Sequence, residues 1–141
     1  MRMAFPYDLA PQPDGGWTIV FPDVPEAITQ ADAAQDIAAM AEDALVTALS
    51  FYTDARQAIP RASTPHGRPV AEVPALVAAK LALHDAMLKA GLSNVDLAER
   101  LGIDEKAVRR LRDPLHRSHI GQVDVALRAL GKRVSVSVLA A

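Results

Sequence analysis

The chain has 141 residues, half of them hydrophobic, with 10 prolines, no cysteine and a net charge of −2. This length and apolar content suit one ordinary domain or two small ones and exclude a wholly disordered chain. The lack of cysteine excludes a disulfide framework and a thiolate metal site, and no N-terminal apolar run is long enough for a signal peptide or a membrane span, so a cytoplasmic protein is expected.

Met3 to Leu9 reads as a strand, Asp14-Gly15-Gly16 as a turn, and Trp17 to Phe21 as a second strand rich in β-branched and aromatic residues. Ala27 to Ala31 is a third candidate. Asp32 then stands at the start of a helix with Gln35 in capping-box spacing, and Ile37, Met40, Ala41, Ala44, Leu45, Ala48 and Tyr52 form an apolar stripe at helical period. From Ile59 to Pro74 the prolines at 60, 65, 69 and 74 remove backbone donors and disfavour helix, so this stretch reads as an extended connector with one short strand at Val70 to Val73. The order β-β-β-α-β results for residues 1–74.

Beyond Pro74 the pattern turns helical, with Ala75 to Ala90 ended by Gly91, Asn94 to Leu101, Glu105 to Arg112, and Ile120 to Leu130 ended by Gly131. Lys132 to Leu139 alternates Val134, Val136 and Val138 with Ser135 and Ser137, the pattern of a strand whose open edges need a partner. The expected fold class is therefore α+β, a strand-rich half (1–74) followed by an all-α half that ends in a β-strand (75–141). Charge divides the same way. Residues 1–74 carry 4 basic and 10 acidic side chains, net −6, and residues 75–141 carry 11 basic and 7 acidic, net +4, so the halves suit different partners.

The most specific motif is Asn94 to Asp113. Ala98 supplies the small residue needed where two short helices cross, Gly102 the turn residue tolerant of positive φ, and Leu97, Leu101, Ile103, Val108 and Leu111 the buried positions of a helix-turn-helix. The second helix would enter the major groove of operator DNA, with Asp104 as its cap and Glu105, Lys106, Arg109, Arg110 and Arg112 on the outward arc. Arginine pairs bidentately with guanine, lysine gives a less directional contact, and a glutamate accepts from cytosine or repels a wrong register. One short helix reads few bases, which implies a homodimer or a higher even oligomer.

Phe21-Pro22-Asp23-Val24-Pro25, Thr29 with Asp32, Ala41-Glu42-Asp43-Ala44-Leu45, Ile59-Pro60 with Ser63, and Ala126-Leu127-Arg128-Ala129-Leu130-Gly131-Lys132-Arg133 together resemble the HicB antitoxin family. Glu26 and Ala31 depart from it, standing where the family usually has glycine. The resemblance implies a type II toxin–antitoxin system. In it, a HicB protein inhibits HicA, a small mRNA-cleaving ribonuclease, through an N-terminal domain like part of a ribonuclease H fold, and represses the shared operon through its C-terminal domain. Trp17, Asp23 and Glu26 are the residues expected to face the toxin, within an acidic half suited to a basic, RNA-binding partner.

Nuclease activity in the N-terminal half would need carboxylates converging on divalent metal. Asp8, Asp14, Asp23 and Asp32 supply acids, but Asp14 falls in the glycine turn and Asp32 is explained as a cap, so no enzyme, no cofactor and no metal are expected. His116 and His119 lack a third ligand at a recognisable spacing, His84 reads as a partly buried helix residue, and His66 lies in the connector. The alternative to an antitoxin is a stand-alone transcription regulator with a ligand-binding N-terminal half.

Overall fold

The computed structural model describes residues 3–140, which form a mixed α+β chain with five helices and two small antiparallel sheets. They separate into two compact units, one of residues 3–52 with 59–73, the other of residues 53–58 with 74–140.

In the first unit the opening strand is split. β1 (Ala4–Pro6) pairs with β5 (Val70–Glu72), Phe5 lying opposite Ala71, while β2 (Asp8–Pro11) pairs with β3 (Trp17–Val20), and β3 with β4 (Ile28–Ala31). The sequence predicts one continuous strand over Met3 to Leu9. The break falls at Tyr7, whose N–H turns to the Pro69 carbonyl at 3.0 Å directly after Pro6, a residue with no N–H for a ladder. Alternation still governs burial, since Met3, Phe5 and Tyr7 point inward, with the Tyr7 ring 5.4 Å from that of Phe21. The β2–β3 turn needs its second glycine, because a Cβ on Gly16 would lie 2.8 Å from the Ala31 carbonyl oxygen.

α1 (Ile37–Asp54) follows a single 3-10 turn at Ala34–Asp36 and buries Ala41, Leu45, Ala48 and Leu49 in the core with Ile19, Phe21 and Val24. Asp32 does not cap it. Ala33 occupies the N-cap of the preceding turn, with no side-chain cap bond, because that turn moves the helix start past the reach of the Asp32 carboxylate. Neither Glu26 nor Ala31 adopts positive φ, so the two departures from glycine impose no backbone strain.

The second unit is built from α2 (Ala75–Ala90), α3 (Asn94–Leu101), α4 (Glu105–Arg112) and α5 (Ile120–Arg128). Leu83 and Met87 of α2, Leu97 and Ala98 of α3, Val108 and Leu111 of α4, and Val123, Ala126 and Leu127 of α5 share one core. Ser93 and Asp96 close a reciprocal capping box at the start of α3, which ends at Gly102 with φ 66°.

Ile103 and the C-terminal segment of this unit depart from expectation. Ile103, at a position read as buried, is 39% exposed, since it follows the left-handed Gly102 and emerges at the margin of the core. Residues 132–140 form no strand. Val134 packs on the helical core, its N–H donating to Asp124 Oδ1 at 2.8 Å, but Val136 and Val138 are 64% and 95% exposed. A strand exists only in a ladder, and among the described residues of a single chain none is offered to this segment.

Candidate functional site

The site centres on α4. Its sequence Glu-Lys-Ala-Val-Arg-Arg-Leu-Arg places Val108 and Leu111 in the core and leaves Lys106, Arg109 and Arg110 exposed, with Glu105 half-buried. The side chain of Asp104 makes no cap bond. Its carbonyl, instead, accepts from the N–H groups of Ala107 and Val108, so the backbone alone closes the first turn. Glu105 and Arg109 lie one turn apart and pair, with Arg109 Nη2 donating to the two carboxylate oxygens at 2.9 and 2.8 Å and Nε donating at 3.1 Å.

The far end of α4 is held by a residue of another helix. Lys80, fully buried in α2, donates through Nζ to the carbonyls of Arg110 at 2.8 Å, Asp113 at 3.0 Å and His116 at 2.5 Å. All three ammonium protons are used on carbonyls at and just beyond a helix C-terminus, where the macrodipole also favours positive charge. Burial pushes the Lys80 ammonium below its ordinary pKa, partly opposed by Asp113.

Arg112 does not join the exposed arc. It is 7% exposed, and its guanidinium donates from Nη1 to Asn94 Oδ1 at 2.6 Å and from Nη2 to His84 Nδ1 at 2.7 Å. The reason is angular. Arg112 follows Val108 by four residues, one turn on, so its stem shares the buried face that Val108 occupies. An arginine has only donors, so His84 Nδ1 must accept and Nε2 carries the proton, which it gives to the Gln57 carbonyl at 2.7 Å. Burial pushes the His84 pKa down, the Gln57 bond opposes this, and the Arg112 charge pushes it down further. The imidazole is held neutral. Burial also lowers the pKa of Arg112, followed by the like charge of Arg56.

Beside α4 the second unit has a cleft of about 480 Å³ lined by Arg56, Lys106, Arg109, Arg110 and Arg112, with Asp54, Glu105 and Asp113 as its carboxylates. All five side chains expected on the outward arc touch this cleft, Arg112 as a buried member. Sequence reasoning missed Lys80, Asn94 and Arg56. Lys80 had a signal, since it is the single cation among Ala75 to Leu88, a helix otherwise apolar but for His84 and Asp85. His116 and His119 are exposed, with His116 Nδ1 3.3 Å from Ser118 Oγ, and no group of three or more His, Asp or Glu among the described residues is arranged to hold a metal.

In the first unit, Trp17 is half-buried on β3 opposite Ala31. Asp23 and Glu26 are occupied. Asp23 Oδ2 accepts from the Ser63 N–H at 2.8 Å and its hydroxyl at 2.9 Å, tying the Phe-Pro-Asp stretch to the connector, and the Glu26 carboxylate accepts from the Tyr52 hydroxyl at 2.9 and 2.8 Å. The Tyr52 hydroxyl is pushed above its ordinary pKa by burial and then by Glu26. These bonds anchor both carboxylates to the fold. Large apolar side chains lie open elsewhere on the unit, among them Ile28 of β4 at 63% exposure and Phe51 of α1 at 51%.

Among the described residues no helix is long and apolar enough to cross a membrane. Residues 4–82 match the family described as the HicB-like antitoxin of bacterial toxin–antitoxin systems. Antitoxin HicB 2 of Photorhabdus laumondii is 43% identical over 121 residues, which cover 86% of each chain. Antitoxin HicB of Escherichia coli K12 is 36% identical over 135 residues, 95% of this chain and 98% of that one. Antitoxin HicB of Pseudomonas fluorescens is 41% identical over 121 residues, 84% of this chain and 83% of the relative. A family match over more than half the chain, and relatives of this similarity spanning nearly all of it, place the protein in the HicB family of antitoxins.

Proposed function

We propose that this antitoxin is a non-enzymatic, two-part regulator. The first unit, as a partial ribonuclease-H-like domain, binds and inhibits a HicA-type mRNA-cleaving toxin, and α3 and α4, as a helix-turn-helix, read the operator of the shared operon. The observation that carries the DNA reading is the exposed basic side of α4, with Lys106, Arg109 and Arg110, on a helix fixed at its far end by Lys80. Positioning of this kind is what base readout requires, since hydrogen bonds to base edges tolerate little displacement.

The Glu105–Arg109 pair does not oppose this role. Releasing an exposed i,i+4 pair costs roughly 0.3–0.5 kcal/mol, against roughly 1–3 kcal/mol for a bidentate contact with guanine. Two copies supply two reading helices. The alternating Val134, Val136 and Val138 segment, left without a ladder in one chain, suits pairing with its twin in a homodimer.

The test is twofold. The chain is co-expressed with the product of the neighbouring gene and purified, and its binding to the DNA upstream of its own gene is measured by anisotropy. A stable complex with a small basic protein, together with a specific DNA complex weakened by roughly 1–3 kcal/mol for each of Lys106→Ala and Arg110→Ala, is expected. DNA affinity unchanged in both variants rules out the assignment of α4.

A further inference from the structure

The tail of α1 does not belong with the rest of that helix. Residues 53–58 group with the second unit, where His84 Nε2 donates to the Gln57 carbonyl at 2.7 Å. Between the end of α1 and this anchor stands Arg56, whose φ of 55° is the left-handed conformation that residues other than glycine, asparagine and aspartate seldom adopt. Its N–H closes the helix on the Thr53 carbonyl at 3.2 Å. The result is an exposed guanidinium on a segment pinned at both ends.

Arg56 lines the same cleft as Lys106, Arg109 and Arg110. Five cationic side chains meet three carboxylates there. Glu105 is already taken by Arg109, and Asp113 Oδ1 accepts from the Leu115 N–H at 2.9 Å. The Arg56 charge reaches far enough to lower the pKa of Arg112. A folded chain that gathers cations in excess of carboxylates creates a field that an external anion relieves, and a row of phosphodiesters beside a groove-lying helix is such an anion.

We infer that Arg56 is a backbone-phosphate contact of the DNA-binding face, supplied by the turn that follows α1 to the flank of α4. The inference rests on the DNA reading proposed above. Because Arg56 comes from an element other than α4, it grips the strand beside the groove and leaves the bases to α4, so its contribution is insensitive to sequence.

The experiment uses the full chain and two duplexes of equal length, one covering the DNA upstream of its own gene and one of random sequence, titrated over a range of salt. R56Q is expected to bind both roughly five- to tenfold more weakly and to lower the salt slope by about one per protomer, with R56K recovering most of the loss. A melting curve of R56Q that overlays the wild type excludes unfolding as the cause, and R56M, which also removes the charge, serves as the reporter if R56Q melts early. Wild-type affinity and slope in R56Q on both duplexes overturn the inference. Loss confined to the upstream duplex at unchanged slope overturns it too, since that is the behaviour of a base contact. If K106A and R110A weaken binding while R56Q does not, Arg56 alone is wrongly assigned. If the wild-type chain binds neither duplex, the DNA reading fails and the role of Arg56 falls with it.

Discussion

Arg112 Nη2 donates to His84 Nδ1 at 2.7 Å, so the last arginine of α4 is bound to α2 and not to anything outside the protein. With Asn94 on its other nitrogen and the Gln57 carbonyl beyond His84, it forms a polar chain, buried at Arg112, Asn94 and His84, that joins α2, α3, α4 and the segment following α1. Buried polar groups stabilise only when every partner is present, and among the described residues no buried side-chain nitrogen or oxygen lacks one.

Arg112→Ala should therefore act on stability. Truncation strands Asn94 Oδ1 and His84 Nδ1 in the interior and should cost about 2–3 kcal/mol, read from urea unfolding of the second unit. Arg110→Ala, at an exposed position, should stay within about 0.5 kcal/mol of wild type. Equal stabilities for the two variants would return Arg112 to the exposed arc.

Stability should fall as the solution is acidified through the histidine range. His84 is held neutral when folded, its pKa lowered from 6.5, so below about pH 6.5 the unfolded chain takes up a proton that the folded chain refuses. The His84 contribution is whole above that value and diminishes as pH drops toward the folded pKa. Asp96 and Asp124, whose pKa values are lowered from 3.8, add losses only at pH below about 4, outside that window. Urea midpoints at pH 7.5 and 5.5 should differ in the wild type, and the difference should shrink in His84→Asn. A midpoint insensitive to pH over this range would show that the imidazole is not held neutral.

Lys80→Met should loosen α4 while leaving its exposed face chemically intact. Three carbonyls lose their donor, and roughly 2–4 kcal/mol of stability should go with them. Amide exchange in residues 109–116 should accelerate ahead of that in α2. Uniform acceleration across the second unit would indicate a general loss of packing rather than release of one helix end.

Truncation after Val134 should separate the packing of the C-terminal segment from the pairing proposed for it. Val134 belongs to the helical core through its packing and its bond to Asp124, whereas Val136, Val138 and Leu139 lie exposed. Cutting after Val134 should keep the fold and, if residues 135–140 pair with their twin, reduce the mass of the isolated antitoxin in sedimentation and weaken DNA binding through lost avidity. Unchanged mass and DNA binding would rule out the pairing proposed for this segment.

Much of the fold is legible in the amino-acid order. The boundaries of α2, α3 and α4 follow from Pro74, Gly91 and Gly102 with the apolar spacing between them, because helix ends are set by local backbone preference. The pairing of β3 with β4 likewise agrees with strands read at Trp17 to Phe21 and Ala27 to Ala31. The exposure of Lys106, Arg109 and Arg110 follows from where Val108 and Leu111 must point.

What the amino-acid order determined by itself was local: helices, turns, the inward and outward faces of α4, and the family to which the motifs point. Only the tertiary structure decided which polar side chains are consumed inside. Lys80 reaches carbonyls 30 to 36 residues away, Arg112 reaches Asn94 and His84, and Asp23 reaches Ser63 across 40 residues, and spacing along a chain carries no record of such distances. The same holds for residues 132–140, where the alternation specifies a strand but a ladder needs a second strand in space, which the described residues of one chain do not provide.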